Sequence, residues 1–321
     1  MKRTGSIPAT RPRRWVCLAL VLSAGLVVGA TGLVLGEGVY SSGLFELGDG
    51  QPPPGMPGLA NIAPNPLQNG PDWADLFAAD GSPKDEYPLD GEGNPLGNGV
   101  PDYRELFGGR WAIFEADYVS LGSGFDGTVR AVEGGVKNGT VPAIDDIGNS
   151  YVYATLDPAG NLVLYGAVER LADGDTTIEF EFNQGLRRLG HGGYGRGVPW
   201  KIEGQAQDND VTVTLRFTEG HLAAVEASKR VGDAWQQIAN VLGEGCDASE
   251  SLCTVGNEGA IDAGPWPSFD GGPSPGQISP HRFAEFGINV GVLLGVQPRY
   301  RTVFMRTPAD VSFGYLGEDQ P

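Results

Sequence analysis

Apolar and polar residues alternate one for one through much of the second half of the chain. In "TTIEFEF", Ile178, Phe180 and Phe182 fall on one side of an extended backbone. Glu179 and Glu181 fall on the other. Val211, Val213, Leu215 and Phe217 repeat the alternation in "DVTVTLRF". A period of two predicts strands with one face in a core. "SYVYATL" from Ser150 and "LVLYGAVERL" from Leu162 are β-rich runs separated by "DPAGN", whose Pro and Gly suit a turn, so a β-hairpin is expected there. Further strands are expected at "HLAAVEASKRV", "AWQQIANV", "RFAEFGINVGVLL", "RYRTVFMRT" and "DVSFGYL". "DWADLFA" predicts one short helical turn capped by Asp72. This run of short strands predicts an all-β fold, an antiparallel β-sandwich of jelly-roll type. No repeat occurs at a solenoid or propeller period.

The front of the chain follows another pattern. Trp15 to Gly36 carries no charge, basic residues precede it and Glu37 follows it. That is the layout of an export signal, with Val28-Gly29-Ala30 as a cleavage site. The apolar run is also long enough to span a bilayer, so an uncleaved anchor is the alternative. In both readings the basic side stays in the cytoplasm and the rest lies outside it. Arg13-Arg14 also fits twin-arginine export. Residues 1–36 are therefore read as signal peptide or N-terminal membrane anchor, 37–70 as a Gly/Pro-rich linker and 71–317 as the β domain.

Composition sharpens this. Gly 51 and Pro 24 suit many turns. The formal charge is −18, and Lys2, Arg3, Arg11, Arg13 and Arg14 all precede the apolar run. Without those five, 17 of the 22 bases remain against 40 acids, a formal charge of −23. Such a chain repels phosphate backbones, so nucleic acid is not an expected partner. It tolerates divalent cations. Outside the apolar run only Cys246 and Cys253 remain, in "GEGCDASESLC". An exported pair this close is expected to form a disulfide, worth about 2.5 kcal/mol for so short a loop.

Several stretches together carry a likeness. They are "FELGDG" at Phe45 to Gly50, the block "DDIGNSYVYATLDPAGNLVLYGAVERLADGDTTIEFEF" at Asp145 to Phe182, "DVTVTLRFTEGHLAAVEASKRVGDAW", the Cys246 and Cys253 loop, "GPW" at Gly264 to Trp266, and "RFAEFGINV". In this order they resemble a family of bacterial secreted and cell-surface proteins of unsettled function. That family has a Phe-Glu-Leu-Asp-Gly opening and Leu-Tyr-Phe-Gly and Gly-Ile-Asn strand motifs. The likeness covers about residues 125 to 313. It departs at Glu179 and Glu181, where the family often has aromatic pairs. It departs again at "VQPRYR", where the family often has a further cysteine. The resemblance implies an extracellular β-sandwich, often one module of a larger surface protein, and no catalytic residues.

Candidate chemistry is sparse. "LDGEGNPLGNGVPDYRELF" places Asp90, Glu92, Asn94, Asn98 and Asp102 among glycines and prolines. It is not an EF-hand, because Pro95 and Pro101 occupy positions that need Gly and Glu. Its end is similar to the Asp-Gly-x-Pro-Asp of thrombospondin type 3 repeats. Ca2+ on these five residues is one expectation, and a turn-rich connector the other. Glu179 and Glu181 stand about 7 Å apart along their strand. They are read as a wet strand face or, alternatively, as the acid and base of a glycan hydrolase. His191, His221 and His281 are scattered with no nucleophile pattern. "HGGYGRG" follows no clear parallel strand and opens no helix, so it reads as a loop and not a phosphate cradle. Tyr194, Trp200, Trp266 and Phe269 lie in Gly-rich loops and offer stacking faces for sugars. The expectation is a non-catalytic surface or secreted module that binds an extracellular glycan or surface component. It touches a membrane only through its N-terminal segment. A glycan-active hydrolase and a purely structural surface protein are the alternatives.

Overall fold

The computed structural model describes residues 39, 47, 72–78, 142–157, 159–185, 204–265 and 276–308. It also describes the backbone of strands at 112–115, 129–132, 135–138, 188–190, 201–203 and 311–315. All belong to the unit Gly36–Pro321. Residues 1–36 and the loop at 89–107 lie outside the described residues, as does the linker at 37–70 apart from Val39 and Leu47.

The fold is all-β. In chain order its strands are β1 (Ala112–Glu115), β2 (Val129–Val132), β3 (Gly135–Asn138), β4 (Ile147–Leu156), β5 (Leu162–Arg170), β6 (Thr176–Asn183), β7 (Arg188–Gly190), β8 (Lys201–Glu203), β9 (Val211–Thr218), β10 (His221–Val231), β11 (Ala234–Leu242), β12 (Gly245–Cys246), β13 (Leu252–Gly256), β14 (Ile261–Asp262), β15 (Gln277–Ile278), β16 (Phe283–Asn289), β17 (Thr302–Arg306) and β18 (Val311–Tyr315). One six-stranded sheet runs β1-β4-β5-β16-β13-β12, and a second runs β11-β10-β9-β6-β17-β18. Every strand pair among the described residues is antiparallel. Successive strands mostly stay in one sheet as hairpins. Between the two large sheets the chain crosses after β5, after β11 and after β16.

The period-two residues do what their spacing requires. Ile178, Phe180 and Phe182 of β6 and Val211, Val213 and Leu215 of β9 join Val152, Leu164 and Phe286 of the first sheet in one buried cluster. Phe180 meets Phe286 edge-on, with centroids 5.0 Å apart. The turn of the β4–β5 hairpin is closed by Asp157, which accepts from Asn161 N–H at 2.7 Å, while Gly160 takes a φ of 82°. The strand expected over 282–294 stops early. Val290–Leu294 is a short helix, α2, because the Asn289 side chain accepts from Val292 N–H at 3.0 Å and caps it. Gly295, at φ 65°, ends it.

The first sheet is buried on its other face too. Tyr151, Tyr153, Val163, Tyr165, Val255 and Phe283 form a second cluster with Val39, Leu47, Leu76, Phe77 and Trp73. Trp73 and Leu76 sit on the helical turn α1 (Trp73–Leu76), where Asp72 N–H donates to the Asp75 carboxylate at 3.2 Å. Two acids lie wholly buried on this face. Glu285 accepts from the Trp73 indole N–H at 3.0 Å, and Glu169 accepts from the Asn149 side chain at 2.7 Å. Close packing fixes a glycine here. A Cβ on Gly287 would sit 2.7 Å from the Tyr165 ring.

Arg170, at the end of β5, is fully buried. Its guanidinium lies 4.0 Å over the Phe217 ring and donates to the carbonyls of Gly174, Gly220 and His281 at 2.9, 3.0 and 3.4 Å. Burial brings its pKa down to about 10, with Asp173 opposing that fall, so it is a cation at neutral pH.

Candidate functional site

On the outer face of the second sheet, antiparallel register sets Arg306 of β17 opposite Glu179 of β6. The Arg306 Nε–H donates to Glu179 Oε1 at 2.7 Å, and its Nη2 also donates to that oxygen. The same Nη2 lies 2.8 Å from Glu181 Oε2. One guanidinium therefore engages both carboxylates. Burial on its own would lower the Arg306 pKa, but the charges of Glu179 and Glu181 outweigh it and hold the group above its ordinary value.

Glu181 is not on a wet face. It is 2% exposed, and its cross-strand neighbour Thr212 is buried as well. The expectation fails at this residue because alternation says only which side of a strand a residue faces, not what covers that side.

Next to this ion pair opens a cleft of about 450 Å³. Among the described residues it is lined by Glu181, Gln205, Ala206, Arg230, Asp233, Trp235 and Arg306. Its positioning follows from the β10–β11 hairpin. The turn between the strands has Gly232 at φ 57°, and the register sets Arg230 directly across from Trp235. The Arg230 guanidinium lies 5.7 Å from the centroid of the exposed Trp235 ring. Its Nη2 also reaches Asp233 Oδ1 at 3.5 Å. Asp208 closes the other side of the turn by accepting from Gly232 N–H at 2.6 Å. The result is a recess with one aromatic plane, an amide and charged groups of both signs. It is suited to hydroxyl-rich ligands, which need both donors and acceptors.

The predicted disulfide is present. Cys246 and Cys253 face each other across β12 and β13 with Cα atoms 4.0 Å apart, and the sulfurs are bonded. Tyr194, Trp200, Trp266 and Phe269 lie outside the described residues, as do Asp90, Glu92, Asn94, Asn98 and Asp102. Trp235, Arg230 and Arg306 belong to no motif in the sequence. The available signal was modest: "VGDAW" has the turn residues of a tight hairpin with a tryptophan just past them.

With known proteins as the comparison, the chain matches no family model, no curated protein and no solved structure.

Proposed function

We propose that this protein is an exported, non-catalytic surface or secreted module of β-sandwich form, and that it binds an extracellular glycan in the cleft beside Trp235. The cleft is the observation that carries the reading. An exposed ring held by Arg230 stands at its edge, with Gln205, Asp233 and Arg306 available to sugar hydroxyls. Sugars are commonly held this way, by an aromatic plane under the apolar ring face and polar groups around its edge. A volume of about 450 Å³ accommodates a short oligosaccharide end. Export is supported by the basic-then-apolar N-terminus and by the disulfide. The sandwich form is supported by two six-stranded sheets that share one core. Its jelly-roll version rests on strand spacing alone. The family resemblance points to the same surface setting.

The non-catalytic part of the reading draws on Arg306. An acid and base pair must exchange protons with substrate, and here one guanidinium engages both Glu179 and Glu181. Tyr194, Trp200, Trp266 and Phe269 are proposed as further stacking residues. Ca2+ is proposed on Asp90, Glu92, Asn94, Asn98 and Asp102, on the strength of their spacing.

The test is calorimetric titration of the full chain against a panel of plant, fungal and bacterial oligosaccharides. At least one should bind saturably, and Trp235→Ala should weaken it by about 10- to 100-fold while leaving the melting temperature unchanged. Binding unchanged by Trp235→Ala removes the cleft from the proposal. Binding unchanged when Tyr194, Trp200, Trp266 and Phe269 are replaced together removes those four.

A further inference from the structure

The chain contains three histidines. Two of them, sixty residues apart in sequence, meet in the fold: the rings of His221 and His281 have centroids 4.1 Å apart at an interplanar angle of 52°. Glu258 joins them from a third segment. One ligand atom from each of the three residues lies within 4.8 Å of the other two. We propose that His221, Glu258 and His281 form a binding site for a first-row divalent transition-metal ion of the zinc type.

The geometry needs little adjustment. Nitrogen and oxygen ligands on a tetrahedral zinc stand ~3.3 Å from each other. The three donors must therefore draw in from no more than 4.8 Å, which side-chain rotation alone supplies at an exposed or half-buried position.

The backbone beneath the site is held by buried groups. Arg170 donates to the carbonyl of Gly220, immediately before His221, and to the carbonyl of His281 itself. Asn257, buried and next to Glu258, donates from its side chain to the carbonyls of Gly259 and Ser279 at 3.0 and 2.7 Å. Its side-chain oxygen accepts from Phe283 N–H at 2.8 Å, and its own carbonyl accepts from His281 N–H at 2.7 Å. Two interior residues thus tie together the segments that carry all three ligands. Such outer support is what gives a surface metal site its geometry.

The donor set selects the ion. Two imidazoles and one carboxylate suit zinc, copper, nickel or cobalt, whereas calcium and magnesium take oxygen donors. With three protein ligands, a fourth position stays open to water or to a ligand's oxygen. This site uses none of the residues of the Trp235 cleft and none of the five proposed for Ca2+.

The experiment uses the full chain, stripped with EDTA and dialysed. Zn2+ is titrated by calorimetry, and the imidazole proton signals are followed by NMR. One equivalent of Zn2+ should bind with a micromolar or tighter Kd. Two of the three imidazole sets should shift, with that of His191 unmoved. The same sample with excess Ca2+ or Mg2+ should leave all three in place. The double variant His221→Gln/His281→Asn should lower the Zn2+ affinity at least about 100-fold, and its melting temperature in EDTA should equal that of the parent, so that loss of binding is not loss of fold. The His191→Ala variant should bind as the parent does. The proposal is overturned if no saturable Zn2+ binding occurs at micromolar concentration. It is equally overturned if the double variant keeps the affinity, or if the His191 signal moves while those of His221 and His281 do not.

Discussion

The two large sheets treat their outer faces in opposite ways. On the first sheet, tyrosines 151, 153 and 165 and Phe283 are sealed under Trp73, Leu76 and Phe77. The acids there, Glu169 and Glu285, receive hydrogen bonds from an amide and an indole. On the second sheet, Glu179 and Glu181 meet the guanidinium of Arg306, and the face opens into a charged cleft beside Trp235. The strands differ in the same sense. β4 and β5 are buried at every position, so both sides of each strand need residues that tolerate an interior. β9 and β10 each bury one side and leave positions on the other open to water. An antiparallel sheet reads as clean alternation only when one face is left open. The outer face of the second sheet accordingly carries accessible polar groups, and the first sheet's outer face serves as an extension of the core.

Mutations on the two faces should differ in cost. Trp73→Ala should have the largest effect, about 4 kcal/mol in urea-induced unfolding, from the lost ring and the lost donor to buried Glu285. A cost below about 1 kcal/mol, the size of a surface change, would mean that the first face is not sealed by this residue. Arg306→Met should cost about 3 kcal/mol, because it strips the cation from a buried carboxylate. Adding Glu181→Gln to that variant should return part of the loss, since a neutral amide does not call for the Arg306 cation. A double variant no more stable than Arg306→Met alone would assign the cost to packing instead. Gly287→Ala comes next, at about 2 kcal/mol, because its Cβ would press on Tyr165. On the open face, Arg216→Ala should cost less than ~0.5 kcal/mol. Its bond to Glu226 is 3.0 Å long but lies at the surface. If Arg216→Ala rivalled Gly287→Ala, the two faces would not differ as described.

Much of this fold was legible from pattern. The core sides of β6 and β9 followed from alternation at Ile178, Phe180, Phe182, Val211, Val213 and Leu215. The disulfide followed from two cysteines seven residues apart. The burial of Glu181 was not legible: its side is polar by pattern, and its partner Arg306 lies 125 positions further along the sequence. The helix at Val290–Leu294 was hidden by its β-branched and apolar residues, which read as strand until the Asn289 cap and Gly295 stop are seen together. The meeting of His221, Glu258 and His281 was invisible for a similar reason. Each residue is ordinary in its own segment, and the three segments, bonded by Arg170 and Asn257, meet only in the fold.

The bond from Trp73 to Glu285 also sets an order in time. The two residues are 212 positions apart, so on a growing chain the indole exists long before its acceptor does. Leu76, Phe77 and Trp73 have no finished surface to settle on until β16 has been made and paired with β5 and β13. The early segment thus closes only once β16 is in place. Until it does, the tyrosine-rich face of the first sheet stands open as an apolar surface prone to association.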